Sequence, residues 1–448
     1  MAMKYENLVA YLEDGIGSGR FRPGERLPNQ RELATQFGVT IATITRGIGE
    51  ASRRGLVIAR PGTGTFIRTT PEPAAPPDLT SEGIDLRLNS VPFPAGLRAS
   101  LAEVLTELAR DGRPEDIFGY QPATGAARHR AMVARWLQPR GLEASPERLL
   151  LTHGAQHALS ACLAALTRPG DTVLCEAWTY AGFHRLAAEA GIRLVGIAMD
   201  GEGMLPEDLA RQIRATGASL VLCSPAVHNP TMITMPLRRR REILEACRGT
   251  PAMLLEDDVY GHLAGDGIPP LAQLDPDRAI YVTGMSKAIA PAFRLGAVQA
   301  PARIRSAIQE ALHVQHWVAP NFYAEVLARL VESGAAAASR NEHREEMRRR
   351  LAIAAAVLGP GRFAAPPLPS YHLWLPVPPP WRLDDFVRGL VQRGVRVLPS
   401  THFAAGGAVL PAHIRACLGA LEPAVLRQAF TAIGHLLTEQ PWNLDAIT

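Results

Sequence analysis

Short apolar runs separated by stretches of helical spacing recur through the chain after residue 148. The runs lack the alternation of a half-exposed strand, so each predicts a strand that is covered on both faces of its sheet. Helical stretches between successive strands are typical of crossover connections. The pattern therefore predicts a mostly parallel α/β core. Its predicted strands lie at residues 149–152, 172–175, 219–223, 253–256 and 280–282.

A different pattern occupies the first 68 residues, where three helices and a short hairpin are predicted. The helices close at glycines, and Thr40 can cap the third helix, over residues 41–54. Strand-like runs at 56–60 and 65–68 flank Pro61-Gly62-Thr63-Gly64, which is typical of a tight hairpin turn. A small, separate N-terminal domain follows from this pattern.

Residues 69–78 are proline-rich and lack hydrophobic periodicity, which predicts a semi-extended linker. A strand-like run at 372–375 and a last helix over 422–437 predict a smaller α+β domain at the end of the chain. We therefore expect an N-terminal domain (1–68), a linker (69–84) and a large body (85–448).

Composition narrows the class of protein only a little. Hydrophobic residues make up 47% and charged residues 20% of the 448, an ordinary globular balance, and a net charge of +4 is too weak to indicate a nucleic-acid partner. The five cysteines show no paired spacing, and no apolar stretch has the length of a signal or membrane segment. We expect a soluble, cytoplasmic protein. Arg238 to Arg241 is interpreted as a solvated helix face, because no aromatic residues interleave it.

Two helices joined through Gly38 and followed by a basic-ended hairpin form the pattern of a winged helix-turn-helix. In such a domain the second helix of the pair enters the major groove with its N-terminal residues at the base edges. Small polar, basic and glycine positions there are the candidate DNA contacts. They are Arg31, Thr40, Thr43, Thr45, Arg46, Gly62 and Thr63.

The segments Gly24-Glu25-Arg26-Leu27-Pro28, Arg31-Glu32-Leu33-Ala34 and Gly62-Thr63-Gly64-Thr65-Phe66 resemble the signature of the GntR family over residues 4–68. That family commonly carries Arg after the helix-capping Ser or Thr, where this chain has Ile41. Ile41 can meet a thymine methyl group or pack within the domain. A winged helix used for protein contacts alone is the alternative.

Lys287 is the most informative residue of the body. It follows the predicted strand 280–282, lies beside Ser286 and precedes Arg294 by seven residues. An amine there can form a Schiff base with a phosphorylated aldehyde, and the hydroxyl and guanidinium can hold the phosphate.

Other residues at predicted strand ends suit the same ligand. Gly154-Ala155-Gln156 begins a helix whose amides can bind an anion, and Tyr180 offers a flat face for stacking on a pyridine ring. Asn229 and Tyr260 can bond a phenolate oxygen, and Asp257 can hold the pyridine nitrogen protonated. No His or further carboxylate lies at a spacing that would make the acidic cluster a metal site.

This ordered set resembles fold-type I aminotransferases, which bind pyridoxal 5′-phosphate (PLP), over residues 85–440. The resemblance implies that Lys287 carries the cofactor. It also implies that Tyr120 reaches the phosphate of a neighbouring subunit and that Arg415 clamps an effector carboxylate. One departure is Gly284, at a position where relatives often have a phosphate-binding Ser, so that contact is either missing or supplied by Thr283.

The union of the two parts resembles the MocR subfamily of GntR regulators, in which a winged helix is joined to an aminotransferase-like domain. This implies a PLP-dependent transcription regulator that binds double-stranded DNA and senses PLP, or an amine or amino-acid effector, through Lys287. It also implies a domain-swapped homodimer. Two alternatives stay open: a catalytically active PLP-dependent aminotransferase with an accessory DNA-binding domain, and a regulator whose pocket has lost the cofactor.

Overall fold

The computed structural model describes most of the chain. The described residues are 5–17, 20–22, 24–53, 56–60, 64–67, 83–110, 115–264, 267–317, 319–359, 361–363, 368–406, 411–419 and 421–439. The predicted hairpin tip at Gly62-Thr63 and most of the predicted linker lie outside these ranges.

The N-terminal domain consists of helices α1 (Glu6–Gly17), α2 (Gln30–Phe37) and α3 (Ile41–Arg53) and the antiparallel strands β1 (Val57–Arg60) and β2 (Gly64–Ile67). Asn29 caps α2: its Oδ1 accepts from the Arg31 and Glu32 backbone amides at 3.0 Å, and its own backbone amide donates to Glu32 Oε2 at 2.9 Å. Gly38 ends α2 at a φ of 62°, where glycine is favoured. The predicted helices and hairpin are confirmed.

Within the described ranges, seven strands form one large sheet in the order β4-β12-β11-β10-β9-β5-β6. The four neighbouring pairs from β11 to β6 are parallel, and β12 is antiparallel to both β11 and β4. Apolar clusters cover both faces, as the uninterrupted runs predicted. The strands are β4 (Leu149–Thr152), β5 (Thr172–Glu176), β6 (Arg193–Ile197), β9 (Leu220–Cys223), β10 (Met253–Asp257), β11 (Ala279–Gly284) and β12 (Gly296–Gln299).

The C-terminal part forms a second layer around its own apolar cluster, with a three-stranded antiparallel sheet in the order β13-β16-β15 within the described residues. A short strand β3 (Ile84–Asp85), at the end of the predicted linker, pairs in parallel with β14 (Val395–Arg396). The smaller strands are β7 (Met199–Asp200), β8 (Gly203–Met204), β13 (His372–Pro376), β15 (Leu398–Pro399) and β16 (His413–Cys417).

Helices cover the sheets, and none of those described is long and apolar enough to cross a membrane. All five cysteines are buried free thiols. The helices of the body are α4 (Ala95–Arg110), α5 (Glu115–Phe118), α6 (Ala127–Leu137), α7 (Ala155–Leu166), α8 (Ala181–Glu189), α9 (Pro206–Thr216), α10 (Leu237–Ala246), α11 (Leu271–Leu274), α12 (Ala302–His316), α13 (Asn321–Glu332), α14 (Ala335–Leu358), α15 (Leu383–Gln392) and α16 (Pro423–Thr438).

The arginine run at the start of α10 is only half solvated, so that interpretation was wrong for its middle. Arg239 and Arg240 are buried. Arg239 pairs with Asp200, and Arg240 donates to three backbone carbonyl groups. A guanidinium with five donors can satisfy several carbonyl groups at once, so burial of Arg240 cross-links loops of the core.

Candidate cofactor site and DNA-binding domain

The predicted cofactor residues follow the carboxyl ends of strands that run in the same direction. β11 is followed by Lys287, β10 ends at Asp257 and β4 is followed by Gly154. Asn229 follows β9, and Tyr180 follows β5. Ligands of open α/β sheets bind outside these strand ends. Strand direction therefore brings together residues that are far apart in the sequence.

Lys287 directs its amine at the site. Its Nζ donates a hydrogen bond to the carbonyl oxygen of Asn89, and its own carbonyl oxygen accepts from Tyr371 Oη at 2.7 Å. Burial lowers the pKa of the amine to about 8, and the cations Arg415 and Arg294 act in the same direction. Near pH 7 the Lys287 amine is then neutral in a fraction of the molecules, and only a neutral amine is nucleophilic.

Lysine is scarce in this chain, a signal that motif reading missed. Of the 47 Lys and Arg residues, only Lys4 and Lys287 are lysines. A guanidinium keeps its proton and cannot act as a nucleophilic amine, whereas a buried lysine can. The lysine at position 287 therefore marks a place where a deprotonated amine is required.

An anion cradle lies at the N-terminus of α7. Gly154 is its N-cap residue with a φ of 84°, and a Cβ there would lie 3.2 Å from Arg294 Nη2. Arg294 Nη1 donates to Ser286 Oγ at 2.9 Å. Unpaired amides at a helix start and a guanidinium both favour a phosphate group. The predicted phosphate residues of this chain are thus next to one another.

Thr283 lies outside this cradle. Successive strand residues face opposite sides of a sheet, and the position of Gly284 faces the helix start, 3.3 Å from the Ala155 amide nitrogen to an added Cβ. Thr283 is buried on the face of β11 that Tyr281 shares, whereas α7 covers the face of Ile280 and Val282. The serine that relatives often carry here therefore has no substitute in Thr283.

Asp257 is a buried carboxylate that no cation pairs with among the described residues. Its Oδ1 accepts a hydrogen bond from the Val259 amide at 3.3 Å. Burial, together with the charges of Asp258 and Glu256, raises the pKa of the carboxyl to about 7. A ligand that brings a positive charge, such as a protonated pyridine nitrogen, would stabilise the ionised form.

The carboxylates on either side of Asp257 are used within the protein. Asp258 forms a two-point salt bridge with Arg140, with the Nε–Oδ2 distance at 2.8 Å. Glu256 accepts hydrogen bonds from two backbone amides and lies 3.7 Å from Arg240. Only the middle residue of the acidic triplet is therefore left for a ligand.

Arg415 is a buried cation with donor capacity to spare. Its Nη1 donates to Asn229 Oδ1 at 3.1 Å, its Nη2 donates to the Arg87 carbonyl oxygen at 2.8 Å, and the guanidinium lies over the Phe403 ring. Its Nε has no hydrogen-bond partner in the described structure. Because Asn229 accepts through Oδ1, its amide NH₂ is left as a donor for an anionic oxygen. These features suit a carboxylate beside a phenolate.

Tyr180 supplies a flat wall. Its Oη donates to Gln156 Oε1 at 2.9 Å, and its ring packs so closely on Gly182 that a Cβ there would lie 2.4 Å from Cζ. The ring is held at the start of α8 near the anion cradle, where it can stack on a planar ligand.

Residues 86–91, here called the strap, cross the site although no sequence pattern marked them. The Asn89 carbonyl oxygen accepts from Lys287, and Asn89 Nδ2 donates to Tyr260 Oη at 2.7 Å. The Arg87 carbonyl oxygen accepts from Arg415. Backbone carbonyl groups carry no residue-type signal, so sequence reasoning could not find these contacts.

Tyr120 contacts none of these residues in the described chain. Its side chain is 89% exposed, and its ring lies 6.5 Å from that of Trp317. An exposed tyrosine of this kind is free to reach another molecule, and its predicted role at a neighbour's phosphate stays a prediction.

In the N-terminal domain several predicted DNA contacts are already hydrogen bonded. Thr40 Oγ1 and Thr43 Oγ1 lie 2.9 Å apart, and Thr45 Oγ1 donates to Gln30 Oε1 at 2.8 Å. Arg46 lies over the Tyr5 ring. All these predicted DNA contacts except the partly buried Thr43 remain exposed, as does Arg31 at the start of α2, so they can still meet DNA. Ile41, 46% exposed at the start of α3, does not pack into the domain.

Comparison with known proteins gives two family matches. Residues 81–433 match the family described as aminotransferase class I and II. The chain belongs to this family. Residues 4–67 match the bacterial regulatory proteins of the gntR family, which implies that this domain binds DNA.

Similar curated proteins combine the same parts. The uncharacterized HTH-type transcriptional regulator YdeF of Bacillus subtilis is 28% identical over 77% of this chain and 75% of its own length. The HTH-type transcriptional regulator TauR of Rhodobacter capsulatus is 28% identical over 66% and 68%. The probable rhizopine catabolism regulatory protein MocR of Rhizobium meliloti is 26% identical over 67% and 66%. The predicted GntR and MocR resemblance is thus confirmed.

Solved structures confirm the fold of the body. An archaeal alanine:glyoxylate aminotransferase matches with a TM-score of 0.73 at 24% identity, over 80% of this chain and 91% of the other. A Pyrococcus horikoshii kynurenine aminotransferase matches with a TM-score of 0.72 at 22% identity, over 80% and 91%. The body therefore has the fold-type I aminotransferase architecture.

Membership of the aminotransferase family implies PLP as the cofactor, and the residues present fit it. Asp257 is an unpaired buried carboxylate, Lys287 is an amine with a lowered pKa, and Gly154 opens an anion cradle. When bound, PLP supplies an aldehyde that captures amines and a ring that withdraws electrons. Lys287 would hold the aldehyde, Asp257 would keep the ring nitrogen protonated, and Arg294 with Ser286 would bind the phosphate.

Proposed function

We propose that this chain is a transcription regulator that binds DNA through its N-terminal domain and PLP through Lys287. The large body senses PLP itself, or an amine or amino-acid effector that takes the place of Lys287 on the cofactor. The observation that carries the proposal is an aminotransferase-family body, with Lys287 following a strand end, in one chain with a GntR-type domain. Regulation then follows from differential contacts in two ligand states.

The strap supports a route from the site to the DNA-binding domain. In the structure Lys287 and Arg415 both donate to strap carbonyl groups. The cofactor would take the Lys287 amine, so PLP binding would remove this donor from the strap. Because the strap continues β3, which lies at the end of the predicted linker, this change reaches the linker by the shortest covalent path.

We also propose a homodimer with exchanged domains. An aromatic patch is exposed around Tyr120: Phe118 and Phe322 stack at 6.2 Å, and Phe118 is 75% exposed. Exposed apolar patches of this kind mark association surfaces. The resemblance to dimeric aminotransferases implies that a second copy covering this patch would receive Tyr120 at its phosphate site.

The first test is covalent. Purified protein is mixed with PLP, reduced with borohydride and mapped by mass spectrometry. We expect a phosphopyridoxyl adduct on Lys287, none on that peptide in Lys287→Ala, and an unchanged adduct in the control Lys4→Arg. An unlabelled Lys287 in a folded protein would exclude the PLP-sensing function.

The second test is regulatory. Genomic fragments bound by the full chain are selected with and without PLP, and the selected sites are titrated with wild type and Lys287→Ala. We expect PLP to change the affinity of wild type severalfold and to leave that of Lys287→Ala unchanged. Equal responses of both proteins would contradict sensing through Lys287.

A working aminotransferase with an accessory DNA-binding domain is the second candidate, because Lys287, Asp257 and Arg415 form a complete set for transamination. The assay mixes the PLP-loaded protein with an amino-acid panel and a keto acid. Many turnovers per site would favour the enzyme, whereas at most one turnover per site would favour the regulator.

A further inference from the structure

Asn89 contacts two groups of the cofactor site at once. Its carbonyl oxygen accepts from Lys287 Nζ, and its side-chain Nδ2 donates to Tyr260 Oη at 2.7 Å. No motif contains Asn89, and its distance from Tyr260 in sequence is 171 residues. The tertiary structure alone makes it a neighbour of the reactive amine.

The hydrogen bond from Asn89 limits where the Tyr260 hydroxyl can donate its own proton. A phenol has one proton to donate, and its oxygen also accepts. Here the oxygen accepts from Asn89, so the proton is free for another acceptor. The described structure shows no other hydrogen-bond partner for Tyr260 Oη. Burial raises the pKa of Tyr260, so the proton stays on the oxygen.

We propose that Asn89 is a positioning residue of the cofactor site: its amide orients the Tyr260 hydroxyl so that the proton is donated to the phenolate oxygen of PLP bound at Lys287. This inference rests on the proposed PLP binding. It adds to the site a residue that acts through Tyr260. Asn89 Oδ1 is buried without a hydrogen-bond partner in the described structure, so the donor contact is the one that the amide makes.

The proposal predicts a spectroscopic effect with a definite sign. A hydrogen bond to the phenolate oxygen of PLP stabilises the anionic form of that oxygen. The proton on the Lys287 nitrogen that holds PLP is then easier to lose. The absorbance of bound PLP reports that proton. Weakening the Tyr260 donor should therefore move the midpoint of the absorbance titration to higher pH.

The experiment titrates the PLP-loaded full chain from pH 5 to 10 and follows the cofactor absorbance. Asn89→Ala removes the orienting donor, and we expect the midpoint to rise by about half to one pH unit, the effect of one hydrogen bond. Asn89→Asp introduces an acceptor that draws the Tyr260 proton away from the cofactor, so its rise should be larger. The control Asn341→Ala, at an exposed position on α14, should titrate like wild type.

A double-mutant comparison separates positioning from a purely structural role. Tyr260→Phe removes the hydroxyl through which Asn89 acts, so adding Asn89→Ala to it should not shift the midpoint further. Circular dichroism and borohydride labelling at Lys287 confirm that each variant folds and holds PLP.

Two results would overturn the inference while leaving PLP binding intact. One is a wild-type midpoint in Asn89→Asp, which would mean that the amide accepts from Tyr260 rather than donating to it. The other is a full Asn89→Ala shift in the Tyr260→Phe background. Failure of wild type to label at Lys287 would instead overturn the proposed function on which the inference rests.

Discussion

At the scale of single residues, burial shifts the pKa values of one amine and one carboxyl group in the candidate site. Burial lowers the pKa of Lys287 to about 8 and raises that of Asp257 to about 7. Both shifts reduce charge inside the site, because the charged form is disfavoured in a medium of low polarity. PLP would stabilise the ionised form of Asp257 and react with the neutral form of Lys287. PLP binding should therefore depend on pH through both residues.

The Lys287 amine should limit cofactor capture below its pKa. Only the neutral amine attacks an aldehyde, and with a pKa of about 8 roughly a tenth of it is neutral at pH 7. We expect the second-order rate of PLP capture to rise about tenfold per pH unit below pH 8 and to level off above it. Stopped-flow absorbance measures this rate. A rate that keeps rising to pH 10 would indicate an unshifted amine.

Asp257 should make stabilisation by PLP depend on pH. Its pKa is higher in the fold than in the unfolded chain, so its contribution to stability is full below about pH 4 and is lost as pH rises towards 7. A protonated ring nitrogen offsets that loss. We expect the Tm gain on PLP binding to be larger at pH 8 than at pH 6, and Asp257→Asn to lose this difference. A gain that varies equally in both proteins would assign the effect to another group.

Ile41 should read a methyl group on DNA. Its exposed side chain at the start of α3 lies where a recognition helix meets base edges. In a selected site, replacing a contacted dT by dU removes the C5 methyl, and we expect about a five- to tenfold loss of affinity. Ile41→Ala should bind both DNAs alike. Equal loss in wild type and Ile41→Ala would show that another residue reads the methyl.

At the scale of elements, the site depends on the turns that connect strands to helices. β4 passes into α7 through Gly154, whose φ of 84° is a conformation that other residues rarely adopt. The turn aims the first amides of α7 at the same place as Arg294. A glycine of this kind serves geometry and ligand access together.

Gly154→Ala should therefore lose PLP affinity as well as stability, since a Cβ there would crowd Arg294 at 3.2 Å and strain the backbone. Gly217→Ala is the matched control: Gly217 ends α9 at a φ of 66° with nothing within 4 Å of an added Cβ. Both changes should lower stability by about 1 kcal/mol or more. Only Gly154→Ala should weaken PLP binding in an absorbance titration, and equal weakening in both would refute a specific role.

At the scale of the whole molecule, the strap joins what the chain order separates. β3 and the strap come at the end of the predicted linker and pack against β14 and the C-terminal sheet, with the Cys417 amide donating to the Leu86 carbonyl oxygen at 2.8 Å. The same strap accepts from Lys287. A single hydrogen bond therefore connects Lys287 in the cofactor site to the strap, the segment that comes after the predicted linker.

PLP should loosen the strap, because Lys287 leaves the Asn89 carbonyl group when it takes the cofactor. Hydrogen exchange of the peptide that covers residues 86–91 should become faster on adding PLP to wild type. Lys287→Ala lacks the contact, so its exchange should be fast already and insensitive to PLP. Slower exchange in PLP-loaded wild type would show that the cofactor closes the strap.

The sequence by itself determined the fold class and five of the seven strands of the large sheet, and it named the residues of the candidate site. A buried parallel strand has an uninterrupted apolar sequence, irrespective of which strands lie beside it. A lysine, an aspartate or a glycine at a strand end, such as Lys287, Asp257 and Gly154, has few chemical uses. It missed β6 and β12 because the edge strand β6 is only partly buried and β12 is short and weakly apolar. Its interpretation of Arg240 failed because burial of a charged side chain depends on carbonyl groups supplied by other loops.

Only the tertiary structure decided which member of the acidic triplet is free, that Asn89 donates to Tyr260, and that the strap accepts from Lys287 and Arg415. These contacts pass through backbone carbonyl groups and across long sequence separations. Every residue has a carbonyl group, so the sequence holds no mark of the few that a buried amine or guanidinium will reach.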